Sequence, residues 1–220
     1  MGFGQVGIIF VSLLGLAGLG WNSYCDYSAI KDVSLAKETL SKGFPRIANE
    51  LSQNMRSRIK YNQEECDLLL AIDSKLRKSS GLFLNAEKCL YSGHVNSPNP
   101  YLAISLAFEI EGDLKSAKSV LFKTIEQLKF NELFFFRLAY LSYIENNKDE
   151  AKNILQGLIS RNLDDENIIL NSIQFFTKKN EWQSAYSLMP FLEKVKDISF
   201  ESKITLYGVA KKNDDTQKSK

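Results

Sequence analysis

The stretch GDLKSA, Gly112–Ala117, places a turn-forming residue five positions before an alanine. The same arrangement recurs in NNKDEA, Asn146–Ala151, and in NEWQSA, Asn180–Ala185. The alanines stand at positions 117, 151 and 185, so both intervals are 34 residues. A fixed period of roughly 20 to 50 residues is typical of proteins built from stacked repeats. The sequence therefore predicts a repeat architecture over this region.

The composition is that of an ordinary folded domain. The chain has 220 residues, of which 44% are hydrophobic and 25% charged, and this length is enough for one or two domains with a core. The 28 basic and 26 acidic residues give a net charge of +2, so no nucleic-acid partner is indicated. Four prolines and twelve glycines are too few for a many-turned β fold, and the abundant Lys, Glu, Leu and Ala favour helices.

Each 34-residue unit carries mostly bulky residues in a predicted first helix, where Ser142 and Ser172 replace large ones, and small and apolar residues in a second. In phase, these are Tyr101, Ile104, Phe108, Ala117 and Leu121; then Phe135, Leu138, Ser142, Ala151 and Leu155; then Ile169, Ser172, Phe176, Ala185 and Met189. The pattern resembles the tetratricopeptide repeat, a pair of antiparallel helices. Gly or Asn tolerates the left-handed turn between them, and alanine permits close helix contact. The proline that usually closes each repeat is replaced by Lys129, Leu163 and Asp197.

We therefore expect an all-α fold, a tetratricopeptide-like solenoid of helical hairpins preceded by one transmembrane or signal helix. A degenerate repeat is expected before the regular ones, because Gly81 precedes Ala86 by five residues but lies out of phase. Beyond the repeats we expect a capping helix with a polar outer face. The predicted segments are 1–25 (anchor or signal), 26–62 (connecting helices), 63–97 (degenerate repeat), 98–197 (three repeats), 198–212 (capping helix) and 213–220 (disordered tail).

The first 25 residues contain no charged side chain, and the run from Val6 to Tyr24 is 19 residues long. About 20 apolar residues suffice to cross a bilayer as a helix, and Trp21 and Tyr24 stand where aromatic side chains favour the interface. We expect a single-pass anchor in a bacterial inner membrane. A cleaved secretory signal and a buried core helix are the alternatives. Lys and Arg after the run favour a cytoplasmic body, but similar anchored repeat proteins often face outwards, so the side stays open.

The cysteines are Cys25, Cys66 and Cys89. An odd number does not suggest a disulfide framework, so we expect Cys66 and Cys89 to be buried free thiols. A bridge between them is the alternative, if neighbouring helices bring them together in an oxidising compartment. His94 is the only histidine, and no metal site of the usual kind is predicted.

In tetratricopeptide proteins the first helices of successive repeats line a concave groove, so the resemblance implies a protein-binding groove here. When the groove positions of the family are applied to each 34-residue repeat, the expected groove residues are Leu102, Leu106 and Glu109 from repeat one, Leu133, Phe136, Tyr140 and Tyr143 from repeat two, and Asn167, Leu170, Gln174 and Lys178 from repeat three. Some relatives clamp a carboxylate with groove lysines, but Leu102, Phe136 and Leu170 stand at those positions, so no such clamp is expected. Alternatively, the aromatic residues of repeat two belong to the core, as Phe135 must.

No phosphate loop or nucleophile elbow occurs, and we predict neither enzymatic activity, cofactor nor small-molecule substrate. The sequence and its resemblance favour a membrane-anchored scaffold that holds a protein partner for the assembly of a bacterial membrane or envelope complex. A second hypothesis is a non-catalytic subunit or detached C-terminal tail of an O-antigen ligase-type membrane glycosyltransferase. A third is a secreted periplasmic repeat protein, if the N-terminal segment is cleaved.

Overall fold

A computed structural model describes residues 31–128 and 131–218, with side chains up to Asp214. Within these ranges the chain is helical and contains no β-strand. It forms two compact units, which we call unit 1 and unit 2; unit 1 ends at Asp113 and unit 2 begins at Leu114. The expected all-α class is thus confirmed for the described residues.

Unit 1 consists of consecutive helices joined by short turns. They are α1 (31–41), α2 (Pro45–Leu51), α3 (Gln53–Arg56), α4 (Gln63–Leu76), α5 (Ser79–Tyr91) and α6 (Pro98–Ile110). The helix α5 packs between α4 and α6, and α2 packs on α4. Asn62 starts α4 with a capping box, because its side chain accepts from Glu65 N–H while the Glu65 carboxylate accepts from Asn62 N–H.

Unit 2 continues with helical hairpins. Its helices are α7 (Leu114–Gln127), α8 (Glu132–Ile144), α9 (Lys148–Ser160), α10 (Glu166–Thr177), α11 (Trp182–Tyr186), α12 (Met189–Leu192) and α13 (Phe200–Lys218). The pairs α8/α9 and α10/α11 pack closely, and α13 lies against α10 and α11. Their apolar faces form one core that includes Leu155, Ile159, Ile173 and Phe176.

The 34-residue phase appears in the backbone as well as in the sequence. Gly112, Asn146 and Asn180 adopt positive φ angles of 83°, 66° and 58°, the left-handed conformation that Gly and Asn tolerate best. The three in-phase alanines, at 117, 151 and 185, are completely buried. After the second of these turns, the Asn147 side chain caps α9. After the third, Glu181 is the residue directly before α11 and makes no side-chain cap. The predicted turn chemistry is therefore confirmed at all three positions.

The degenerate repeat differs from its prediction at the turn. Its two helices exist, but the turn residue with positive φ is Arg77 (51°), and Gly81 lies inside the first turn of α5. A Cβ atom at Gly81 would lie 2.6 Å from the Asp73 carboxylate. Gly81 is thus required by close packing against α4 and not by a turn, and its spacing from Ala86 was a misleading match.

Two further helices differ in their bounds. The predicted second helix of repeat three is split into α11 and α12, and Pro190 lies in the first turn of α12, where its missing N–H costs no hydrogen bond. The predicted capping helix begins at Phe200 and continues to Lys218, into the expected tail. Its exposed surface carries the polar residues Glu201, Lys203 and Lys211 and, in addition, the apolar residues Phe200, Ile204 and Tyr207.

Cys66 on α4 and Cys89 on α5 are joined in a disulfide, with their Cα atoms 5.7 Å apart. The expectation of free thiols is therefore wrong, although both side chains are buried as predicted. Spacing along the chain could not show this, because 23 residues separate the two cysteines and only the packing of α5 on α4 brings them together.

A buried polar cluster also lies between the helices of unit 1. Arg56 at the end of α3 makes a bidentate ion pair with Asp73 of α4, at 2.8 and 3.0 Å. Asn85 Nδ2 donates to the same carboxylate at 2.6 Å, and Tyr61 OH donates to Asn85 Oδ1 at 3.2 Å. Lys88 Nζ caps the cluster by donating to Arg56 O at 2.8 Å. Every charged member has a partner of opposite charge or a carbonyl, as burial of charge requires.

Among the helices that the structure describes, none is both long and apolar enough to cross a membrane. The predicted anchor, with its interface residues Trp21 and Tyr24, lies outside the described residues.

Candidate functional site

An open groove of about 440 Å³ runs between α8 and α10 in unit 2. Its lining comes from the two first helices of successive hairpins. The residues are Glu132, Leu133, Phe136 and Tyr140 from α8, and Asn171, Gln174, Phe175, Lys178 and Lys179 from α10 and the turn that follows it. The volume is in the usual range of ligand-binding clefts, and we call this surface the α8/α10 groove.

The sequence of α8 explains why apolar side chains reach the surface here. In ELFFFRLAYLSYI, apolar residues occupy nearly every position, which exceeds what one buried stripe can hold. Phe134, Phe135, Leu138 and Leu141 fill the core. Leu133 is left 46% exposed, and Phe136 and Tyr140 are half-buried in the groove wall.

The caps of both helices fix the groove walls at one end. Asn131 caps α8 by accepting from Leu133 N–H at 2.9 Å. Asp165 caps α10 by accepting from Asn167 N–H and Ile168 N–H, at 3.0 and 3.1 Å. Asp165 is thus the residue of the acidic triplet Asp164–Glu166 that caps α10. Glu132 and Glu166 follow in the first turns, where carboxylates interact favourably with the helix dipole.

The other end of the groove is closed by an ammonium held against aromatic rings. Lys179 Nζ lies 4.4 Å from the ring centroid of Tyr143, 5.2 Å from that of Tyr140 and 5.2 Å from that of Phe175. These distances are within the range of attractive cation–π contacts. The Asn180 turn places Lys179 there, because Lys179 N–H donates to Phe176 O at 3.0 Å as α10 ends. With Lys178 exposed beside it, this end is basic.

A small ionic network holds the hydroxyl group of Tyr143. Tyr143 OH donates to Glu181 Oε1 at 3.4 Å, and Lys148 Nζ contacts the same oxygen at 2.5 Å. The hydrogen bond and charge of Glu181 raise the pKa of Lys148 above its usual range. The start of α9 and the turn between α10 and α11 are thus tied together beside the groove.

The structure brings together five of the predicted groove residues. The α8/α10 groove is lined by Leu133, Phe136, Tyr140, Gln174 and Lys178, among others. Tyr143 contributes its ring to the Lys179 contact without lining the groove itself. Leu102 and Leu106 belong to α6 in unit 1, where both are half-buried and Leu106 packs against the core of that unit.

Leu170 was expected in the groove and lies in the core of unit 2. The reason is that Ile169, Leu170 and Ile173 together form the inward face of α10. The groove face of this helix is instead formed by Asn171, Gln174, Phe175 and Lys178. A phase transferred from repeat to repeat leaves the rotation of one helix uncertain by about one residue, or roughly 100°.

Sequence reasoning missed Asn171, Phe175 and Lys179 as groove residues. One signal was available, because Asn171 and Phe175 are four residues apart on α10 and therefore share a helix face. The aromatic partners on α8 could be found only from the packing of the two hairpins. The carboxylate clamp of tetratricopeptide proteins would stand at Leu102, Phe136 and Leu170. Lys178 and Lys179 lie at other positions, so the clamp pattern could not predict the basic end of the groove.

Within residues 31–128 and 131–218, His, Cys, Asp and Glu nowhere gather into a group that could hold a metal ion. The chemistry of the groove is accordingly that of an apolar and aromatic surface with one acidic and one basic end. No protein-family model matches the sequence, and a comparison with curated proteins gives no match.

Proposed function

We propose that the chain is a tetratricopeptide-type scaffold that binds a segment of a partner protein in the α8/α10 groove. The repeat assignment is supported by the left-handed turns at Gly112, Asn146 and Asn180 and by the buried alanines that follow each of them. The observation that carries the binding proposal is the row of open apolar side chains Leu133, Phe136 and Tyr140, which faces α10 across the groove.

The groove suits a peptide better than a small polar molecule. Its walls are apolar and aromatic along the middle, and aromatic side chains are frequent anchors of protein interfaces. Charged groups are confined to the ends, with Glu132 at the start of α8 and Lys178 and Lys179 after α10, and Asn171 and Gln174 add uncharged polar groups to the α10 wall. A helical or extended segment with apolar side chains would bury the middle while its polar groups meet the two ends.

We further propose that the N-terminal segment holds this scaffold at a bacterial membrane, with the helical body outside the cytoplasm, for the assembly of a membrane or envelope complex. The anchor rests on the uncharged run before Asp26. The Cys66–Cys89 disulfide supports the outward side, because disulfides persist in oxidising compartments and are rare in the cytosol. Tethering would raise the local concentration of the scaffold near a membrane-bound partner.

The binding proposal is tested with a random dodecapeptide display library panned against the full chain in a mild detergent. We expect enriched peptides rich in apolar residues, and their affinity should fall tenfold or more in Phe136→Ser and Tyr140→Ser, since a lost aromatic anchor costs more than about 1.4 kcal/mol. Phe122→Ser is the matched control, because Phe122 is exposed on α7 outside the lining set. Peptides that bind all three variants equally would contradict the proposal.

The orientation is tested separately with a membrane-impermeant maleimide on intact cells. The variant carries Asn153→Cys, at an exposed position of α9, together with Cys25→Ser. We expect labelling without lysis. Protection of the introduced cysteine until the cells are lysed would place unit 2 in the cytoplasm and contradict the outward side, while leaving the groove proposal intact.

A further inference from the structure

The last helix, α13, exposes an apolar stripe that a terminal helix of a repeat protein does not need. Phe200, Ile204 and Tyr207 are 78%, 56% and 72% exposed. The opposite face is buried on the body of unit 2 through Ser202, Val209 and Asn213. Single exposed apolar residues are normal on protein surfaces, but neighbouring ones on one helix face mark a contact surface.

Gly208 lies on the same exposed face, four residues after Ile204. A Cβ atom built there would have no heavy atom within 4 Å, so nothing within the chain explains the glycine by close packing. Glycine is also an unfavourable residue inside an exposed helix. A glycine between large apolar neighbours instead forms a notch into which a side chain of another helix can fit.

The positions of the stripe and the notch are symmetric about Ile204. Phe200 lies four residues before it and Gly208 four residues after it, about 6 Å along the axis in each direction. In an antiparallel pair of identical helices crossing at Ile204, the protruding Phe200 of one copy therefore meets the notch of the other. A face that is complementary to itself in this way is what a two-fold dimer requires.

The charges of the helix favour the same arrangement. Lys211 lies seven residues after Ile204 and is exposed on the same face. A parallel pair would place Lys211 opposite Lys211, whereas an antiparallel pair crossing at Ile204 places the two ammonium groups at opposite ends of the contact, away from their mutual repulsion. The exposed charges of α13 have both signs, Glu201 and Asp214 beside Lys203, Lys211 and Lys212, so the helix lacks the strongly basic face that an anionic lipid surface attracts.

We propose that α13 is a self-association surface through which two copies of the chain form an antiparallel, two-fold dimer. Ile204 lies on the two-fold axis, and Phe200 of each copy sits over Gly208 of the other. The docking of α13 on its own unit orients the stripe outwards, because Glu166 accepts hydrogen bonds from Ser199 N–H and Ser202 Oγ at 2.9 and 2.5 Å. The proposal does not depend on the α8/α10 groove.

The test uses disulfide cross-linking of the full chain in native membranes, in a Cys25→Ser background. Ile204→Cys should form a covalent dimer under mild oxidation, because the two thiols meet at the axis. Asn153→Cys, on the exposed face of α9, measures chance collisions. Adding Gly208→Leu to Ile204→Cys should lower the dimer yield at least tenfold, since the notch is filled. Gly157→Leu is the matched control, because Gly157 is also a helical glycine with no heavy atom within 4 Å.

Both leucine variants should fold as well as the parent, since leucine favours helix over glycine, and far-ultraviolet circular dichroism checks this. The proposal is overturned if Ile204→Cys cross-links no more than Asn153→Cys. It is equally overturned if Gly208→Leu leaves the yield unchanged. Protection of the introduced Cys from a hydrophilic maleimide without dimer formation would assign the stripe to lipid or to a different protein, and would also overturn it.

Discussion

Units 1 and 2 hold their helices together by different means. In unit 1 a disulfide joins α4 to α5, and the buried pair Arg56–Asp73 links α3 to α4. Unit 2 contains no cysteine, and its interhelical ion pairs, such as Lys118 with Glu145 and Glu150, have partly exposed carboxylates. Its stability rests mainly on the apolar core shared by α8 to α13.

The difference teaches where rigidity and recognition are placed in this chain. Cross-links and buried ion pairs fix one arrangement of helices, because a shifted helix would leave charges unpaired in the interior. An apolar core tolerates more variation as long as its volume is filled. Unit 2 also presents both surfaces proposed for contacts, the α8/α10 groove and the α13 stripe. Unit 1 thus adds covalent and ionic constraints to an apolar core of its own, whereas unit 2 carries the two surfaces proposed for contacts on a body held mainly by apolar packing.

The largest expected effect comes from removing the Asp73 carboxylate, the centre of the buried polar cluster, and it tests the contrast between the two units. Asp73→Ala leaves the Arg56 guanidinium and Asn85 amide without their carboxylate, which is only 1% exposed. Removing one partner of a buried pair costs about 3–5 kcal/mol, so the free energy of unfolding of unit 1 should fall by about that amount. Urea unfolding gives the magnitude, and hydrogen exchange should show the loss in α4 and α5.

Glu64→Ala is the matched control on the same helix. Glu64 pairs with Lys37 at 3.0 Å, but its side chain is 58% exposed, and such pairs contribute about 0–1 kcal/mol. Equal destabilisation by the two substitutions would show that the cluster is not energetically special. Unit 1 would then resemble unit 2.

Reduction of the disulfide is expected to have the next largest effect. Opening a loop between residues 23 positions apart releases chain entropy in the unfolded state equivalent to about 3 kcal/mol. A reductant should therefore lower the stability of the native chain and leave a Cys66→Ala/Cys89→Ala variant unaffected. Thiol titration of the unfolded, unreduced chain should find only the Cys25 thiol. Finding all three thiols free would remove the contrast between the units.

Gly81→Ala in unit 1 and Gly157→Ala in unit 2 each add one methyl group, and their effects on the free energy of unfolding can be compared. Gly81→Ala places a Cβ against the Asp73 carboxylate, which the two bonds from Arg56 prevent from moving away. Overpacking of this kind costs roughly 1–3 kcal/mol. Gly157→Ala in α9 has free space and should stabilise by up to about 1 kcal/mol. Thermal unfolding should show shifts of opposite sign, and shifts of equal sign would contradict the close approach at Gly81.

The repeat period could be predicted from sequence because its causes are local. A left-handed turn needs Gly or Asn, and a helix contact needs alanine, so each of these positions leaves its own mark in the chain. The same reasoning failed at Gly81, because glycine has two uses, a turn and a close approach. Only the position of Asp73 on the preceding helix distinguishes them.

The groove was partly predictable for a similar reason. The excess of apolar residues in α8 predicts that some remain at the surface, and Leu133, Phe136 and Tyr140 do. The contribution of α10 depends on its rotation about its own axis, which is set by tertiary packing. Leu170 was consequently placed on the wrong face, and the contacts of Lys179 with the aromatic rings of α8 were missed.

The smallest expected effect tests whether the attachment of α13 to unit 2 depends on a charged group. Hydrogen bonds from Ser199 and Ser202 hold the pKa of Glu166 below its usual range. A lowered folded-state pKa contributes stability above the unfolded-state value of about 4.3, and the contribution is lost as the pH falls through the folded-state pKa.

Wild-type chain should therefore exceed Glu166→Gln in unfolding free energy at pH 7, and the difference should shrink progressively below about pH 4.3. Denaturant unfolding followed by circular dichroism at several pH values measures it. Parallel pH curves for the two chains would mean that α13 is held by its apolar contacts alone, which would widen the contrast with the ion-paired helices of unit 1.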